Sequence, residues 1–184
     1  MVVLSLLLPR TVASQQGVEV SFAGLAGMNT VAPGGEILIY SVEVTDIVVD
    51  ARNVQIGGAG GAGGIQITLT DRLASGIAAA DFTGLNLYRS ADGVLDGGDT
   101  FLRTEAPVAI GAALLVDFTG VAPANRAIPD VGSIFFLVTA DIAAGATLGG
   151  AFRLGTAGLH IDMRDFGGGG PTVYPIGTAI AAND

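Results

Sequence analysis

Three carboxylates and a glycine, set between two apolar stretches, give this chain its strongest local chemistry. They lie in Tyr88-Arg89-Ser90-Ala91-Asp92-Gly93-Val94-Leu95-Asp96-Gly97-Gly98-Asp99. Laid on a helix-loop-helix calcium loop, Asp92 takes the fifth position and Gly93 the sixth. The Val94 carbonyl takes the seventh, Asp96 the ninth and Asp99 the twelfth. Hard oxygen ligands suit Ca²⁺, and three close carboxylates repel one another unless a cation sits among them. The match is incomplete, because Tyr88 stands where the first Asp belongs, Ser90 holds the third position, and strand patterns flank the loop. Two readings therefore stand. Either Asp92, Val94, Asp96 and Asp99 hold one Ca²⁺ that rigidifies the segment, or the loop is a polar hairpin built on Asp-Gly turn chemistry.

Catalytic alternatives find less support. His160 is the only histidine; strand alternation sets it on one face with Asp162, away from Leu159, Ile161 and Met163. No G-x-S-x-G elbow supplies a nucleophile for a Ser-His-Asp set. Glycoside hydrolysis needs two carboxylates at a set separation and an aromatic platform, and the three Tyr and eight Phe fall mostly in apolar patterns. We expect no enzyme and no catalytic residue. All eight basic residues are arginine, which removes Schiff-base lysines, a P-loop lysine and lysine isopeptide crosslinks. The absence of cysteine removes disulfides, thiolate metal sites and lipidation at cysteine. A net charge of −9 makes nucleic acid an unsuitable partner, since phosphates call for a basic face. No small-molecule substrate is indicated.

The elements that must carry these residues are strands. Half of the 184 residues are apolar and only 14% are charged, too hydrophobic for disorder, while no apolar run is long enough to span a bilayer as a helix. Period-two apolar patterns separated by Gly, Pro, Asn and Asp clusters predict strands near Val18–Ala23, Ile37–Val44, Ile47–Val54, Ile65–Thr70, Leu85–Tyr88, Thr100–Arg103, Ala113–Phe118, Ser133–Thr139, Phe152–Thr156, Leu159–Met163 and Thr172–Ile176. Single helical turns are expected at Ala78–Phe82 and Asp141–Ala146, each with an Asp placed to cap it. In Glu36–Val44 the set Leu38, Tyr40, Val42, Val44 faces one way and Ile37, Ile39, Ser41, Glu43 the other. Ser133–Thr139 is apolar on both faces and reads as a central strand with its Phe side chains in the core. Gly57–Gly64 lacks the residues of a phosphate loop and reads as a hairpin tip or a segment packed against another backbone.

The N-terminal run Met1–Leu8 is too short to span a bilayer and is stopped by Pro9-Arg10. As a strand it sets Val2, Leu4, Leu6 and Leu8 on one face and Val3, Ser5 and Leu7 on the other, so it needs cover on both sides. Three readings apply: a secretory signal with Thr11-Val12-Ala13 as cleavage site, although it lacks a basic start; a strand of the chain's own sheet; or a strand donated to a neighbouring copy. Burying about 500 Å² of apolar surface at ~25 cal/mol per Å² would contribute roughly 12 kcal/mol before the costs of ordering and association.

Asp81–Tyr88, Asp92–Thr100 and Phe136–Ala146 together resemble the β-sandwich modules of secreted bacterial surface proteins, in which a strand, an acidic hairpin and a strand precede a strand ending in Ala-Asp-Ile. The likeness covers roughly residues 36 to 163. More loosely, an apolar N-terminal strand on a sandwich without lysine or cysteine is similar to TasA-like fibre proteins, which implies polymerisation by passing a strand to the next subunit. The expectation is an all-β protein, a single jelly-roll-like antiparallel β-sandwich over residues 14–184 preceded by a donor strand in residues 1–13. It would be an extracellular, cell-surface filament subunit whose partner is itself, with Val2, Leu4, Leu6 and Leu8 at the subunit interface and no membrane span. The alternative is a monomeric, calcium-stabilised accessory or carbohydrate-binding module.

Overall fold

The computed structural model describes residues 10–15, 18–23, 31–46, 54–57, 64–72, 74–106, 108–165 and 172–175, the side chains of 10–15, 18–23, 155–165 and 172–175 excepted. Twelve strands follow in order: β1 (Arg10–Gln15), β2 (Val18–Ala23), β3 (Glu36–Asp46), β4 (Val54–Ile56), β5 (Gly64–Asp71), β6 (Phe82–Ser90), β7 (Thr100–Glu105), β8 (Ala113–Asp117), β9 (Ala127–Ile128), β10 (Ser133–Ile142), β11 (Phe152–Asp165) and β12 (Thr172–Pro175). Among the described residues helix is confined to a 3₁₀ turn at Ala79–Asp81 and one α turn, α1, at Pro123–Arg126. Sheet A runs β1-β2-β3-β10-β6-β7 and sheet B runs β8-β5-β11-β4-β9, with β12 joined to β11. Every pairing between described strands is antiparallel. The fold is all-β, as its alternating sequence predicts.

One apolar core joins the two sheets. Sheet A contributes Tyr40, Val42, Val44, Leu85, Leu87, Phe136 and Val138, and sheet B contributes Val54, Ile56, Ile65, Ile67, Leu69, Val116 and Ile128. Phe118 meets Phe136 edge to face at a centroid distance of 5.4 Å, a geometry that aligns ring edge with ring face. β10 lies between β3 and β6 and is the central strand expected from its two apolar faces. Only one of its two Phe rings is in the core, however. Phe136 is fully buried there, whereas alternation turns the half-buried Phe135 outward.

Several expected boundaries shift. The segments Phe152–Thr156 and Leu159–Met163 are one long strand, β11, whose pairing with β5 slips between Gly155 and His160. β4 and β5, the strands on either side of the glycine run, are not neighbours but are separated by β11; residues 58–63 lie outside the described residues. At the end of the run the close-packing reading holds: a Cβ on Gly64 would stand 2.1 Å from the Val116 carbonyl oxygen and 2.7 Å from the Phe118 ring. The predicted turn at Ala78–Phe82 is the 3₁₀ turn. The buried Asp81 accepts from the Ala78 N–H at 2.7 Å and from the Thr147 N–H at 2.7 Å, so its carboxyl is held below the usual range while it ties two loops together. Sequence patterning misses β1, which crosses the boundary set at residue 13, and α1, whose buried Arg126 donates to the carbonyls of Val121 and Ile56. Residues 47–53, most of one expected strand, lie outside the described residues.

Candidate functional site

The structure builds its most organised polar arrangement on the face of sheet A that points away from the core. The cause is a β-bulge. Val138 of β10 pairs with Tyr40 and the next residue, Thr139, pairs with Leu38, so Ile39 is the extra residue on β3. An extra residue shifts the alternation by one. Beyond it Ile37, not Leu38, packs on the core, and Glu36 is carried to the outer face opposite Asp141. Simple alternation would have set Glu36 with Leu38 and Tyr40.

On that face Glu36 reaches across β10. Its Oε1 accepts from the Asn86 amide at 2.9 Å, from the Tyr88 hydroxyl at 2.8 Å and from the Thr139 hydroxyl. Asn86 in turn accepts from the Thr104 hydroxyl at 2.6 Å. Strands β3, β10, β6 and β7 are thus laced by one carboxylate and its donors. Partial burial would raise the Glu36 pKa, but the three hydrogen bonds outweigh it and hold the carboxyl below its ordinary value. Tyr88 is pushed up to about 12 by burial, by its bond to Glu36 and by the carboxylates of Glu36, Asp141 and Asp99. Glu36 is therefore a charged acceptor at neutral pH and unsuited to act as a general acid. Tyr88 stacks edge to face on Phe101 at 5.6 Å, and Phe101 is 54% exposed.

The acidic loop sits beside this face. Asp92 Oδ1 accepts from the Val94 N–H at 3.0 Å and meets the Ser90 hydroxyl at 3.1 Å. Asp96 Oδ1 accepts from the Gly98 N–H at 2.7 Å, and Asp99 Oδ2 from the Asp96 N–H at 2.9 Å. The bonds of Asp92 and Asp96, each to the N–H two residues on, are the side-chain turns by which Asp closes short loops, and Asp99 reaches back to the N–H three residues before it. Gly93 takes φ +79°, and a Cβ there would stand 2.8 Å from the Phe135 ring, so glycine answers both a backbone and a packing demand. The candidate calcium ligands Asp92, Val94, Asp96 and Asp99 share this loop, but among the described residues no three acidic or histidine side chains gather as a metal site. Each of the three carboxylates directs one oxygen at the loop's own backbone.

The other predicted positions divide. Val2, Leu4, Leu6 and Leu8 lie outside the described residues. His160 and Asp162 stand on β11, in register with Pro175 and Val173 of β12. Sequence reasoning missed Glu36, Asn86, Thr104 and Thr139; the available signal was a carboxylate heading the apolar set Leu38, Tyr40, Val42, Val44. One end of an edge strand is engaged as well. Arg103 pairs with Glu105 at 2.6 Å and donates to the Thr119 carbonyl at 2.6 Å, while Glu105 accepts from the Asp117 N–H at 3.2 Å. Side chains of β7 thereby cap backbone groups at the end of β8. Burial lifts the Glu105 pKa, with Arg103 acting against it.

Compared with protein-family models, curated proteins and solved structures, the chain matches none. Fold and site together define an all-β, sandwich-like protein with a laced outer sheet face. No helix among the described residues is long and apolar enough to cross a membrane.

Proposed function

We propose that this sandwich, wound in jelly-roll-like fashion, is a structural subunit of an extracellular, cell-surface filament that polymerises head to tail by donating its N-terminal strand. The observation that carries the reading is the place of β1. It is the outermost strand of sheet A, paired with β2 alone among the described strands, and it follows directly on the apolar run Met1–Leu8. A two-faced apolar strand that leads into the margin of an open sheet is suited to pair with another copy's edge. The TasA-like resemblance points the same way.

Negative-stain microscopy of the full chain beside a variant lacking Met1–Leu8, which keeps β1 whole, tests it. Filaments from the full chain and monomers from the variant support donation. Monomers from both overturn it and favour the accessory or carbohydrate-binding module, for which the exposed Phe101 beside Tyr88 offers an aromatic surface.

A further inference from the structure

The described strands offer five margins, and four are poor acceptors for a strand. β12, joined to β11 alone, has four residues and ends at Pro175. β1 is the margin from which the donor segment leaves. β9 has two residues. β8 is engaged at its end by Glu105 and Arg103, which bond the Asp117 N–H and the Thr119 carbonyl. β7 remains. It has six residues, its Thr100, Phe101 and Thr104 are exposed, and no described strand pairs with its outer side. Its bulge at Leu102 keeps the edge short, the length of Val3–Leu8 rather than of a long aggregating edge.

Strand direction favours the same margin. From β1 to β7 sheet A takes five antiparallel steps, so β7 runs opposite to β1. A second copy related by translation along the sheet, with no reversal, presents its N-terminal strand antiparallel to β7. Such a contact joins two different surfaces and does not close on itself, which is the geometry of a fibre.

Charge complementarity favours one register. Copies with a net charge of −9 repel, and the first charged residue of the chain is Arg10. If Leu8 of the incoming copy lies opposite Thr100, Pro9 ends the pairing for want of an N–H, and Arg10 falls beside the residues that precede Thr100. Those are Asp96 and Asp99, each with one carboxylate oxygen turned into the loop and the other available to a guanidinium. In that register the exposed Phe101 would lie opposite Leu7.

Resting on the polymer reading, we propose that β7 is the acceptor edge for Val3–Leu8 of a second copy and that Arg10 of that copy is latched by Asp96 and Asp99. The chain has no cysteine, so a disulfide can be placed cleanly. Leu8→Cys and Thr100→Cys variants, separately tagged, are mixed, assembled and oxidised, with Leu8→Cys and Leu115→Cys on β8 as the comparison. The expected result is a crosslinked dimer carrying one of each tag from the first mixture and not from the second. In parallel, Arg10→Glu should raise the concentration needed for assembly about 10-fold at low salt, and adding Asp96→Arg should bring it back within roughly 3-fold of the parent. Filaments that form without the Leu8 to Thr100 crosslink, or crosslink through Leu115, overturn the acceptor edge while leaving the polymer reading intact. Crosslinking at Thr100 with no response to either charge change removes the latch alone. A full chain that stays monomeric at every concentration removes both.

Discussion

On β10 the residues facing sheet B, Ile134, Phe136, Val138 and Ala140, are apolar and belong to the shared core, whereas the opposite face passes from the apolar Phe135 and Leu137 to the polar Thr139 and Asp141, with Thr139 tied to the Glu36 network. The inner face is held by removing surface from water, which needs no direction and tolerates any apolar neighbour of the right size. The polar end of the outer face is held by donors aimed at one carboxylate oxygen, which needs register as well as composition. The difference teaches that a strand's core residues follow from its pattern, while its outer polar contacts follow from where bulges fall.

The sharpest test of this contrast removes the largest inner contact. Phe136 is fully buried and stacked on Phe118. Phe136→Ala should cost about 3–5 kcal/mol in urea unfolding. A loss under about 1 kcal/mol would mean that the inner face is loosely packed and the contrast is false.

Glu36 is the counterpart on the outer face. Glu36→Ala strands three donors, yet the residue is exposed and water can replace it, so the expected loss is about 1–2 kcal/mol. Tyr88→Phe removes one of the three bonds and should cost about 0.5–1.5 kcal/mol. In the double variant the two losses should fall short of additivity, because they share a bond. Strict additivity would show that Tyr88 and Glu36 do not act through each other.

These two residues also show how far the sequence can be read. The alternation of Tyr40, Val42 and Val44 gives their inward direction correctly, since an uninterrupted apolar set needs burial. The same alternation misplaces Glu36, because the bulge at Ile39 comes from the slip between Val138 and Thr139 on another strand. Register across 103 residues of sequence, the separation of Glu36 and Thr139, leaves no local mark. Phe135 fails for a related reason: its run is apolar throughout, and only the loop that brings Gly93 onto its ring shows why an outward Phe is covered. The acidic loop was legible as a turn from Asp92-Gly93, but which carboxylate bonds which N–H is a matter of geometry.

pH separates the faces more gently. Glu36, Asp71 and Asp81 are all held below their ordinary values of 4.5, 3.8 and 3.8. Partial burial acts against the lowering at Glu36. At Asp71 the Ser75 side chain leads, and at Asp81 the Ala78 N–H. A lowered native pKa means that the unfolded chain takes up protons first, so their stabilisation is present above pH ~4 and is lost as the pH falls below it. Glu105, shifted upward, offsets part of this. Tyr88 has the opposite sign: its stabilisation is complete below its ordinary 10.0 and is lost as the pH rises toward about 12. Unfolding titrations at stepped pH should show a weaker acid loss in Glu36→Gln and a weaker alkaline loss in Tyr88→Phe. The core variant Phe136→Ala should move the whole curve down without changing either limb.

The smallest effect is expected at the acidic loop. Its three carboxylates already bond loop N–H groups, so adding Ca²⁺ or a chelator should shift the melting temperature by less than about 2 °C, below the effect of 1 kcal/mol in a domain of this size. A larger rise with Ca²⁺, together with binding heat lost in Asp96→Asn, would show that the carboxylates turn from backbone to ion and that a third kind of region exists, organised by a cation. Gly93→Ala distinguishes the cases further. It forces a Cβ into the Phe135 ring at a φ of +79° and should destabilise the loop whether or not an ion is present. A Gly93→Ala variant rescued fully by Ca²⁺ would place the loop's order in the ion rather than in its turns.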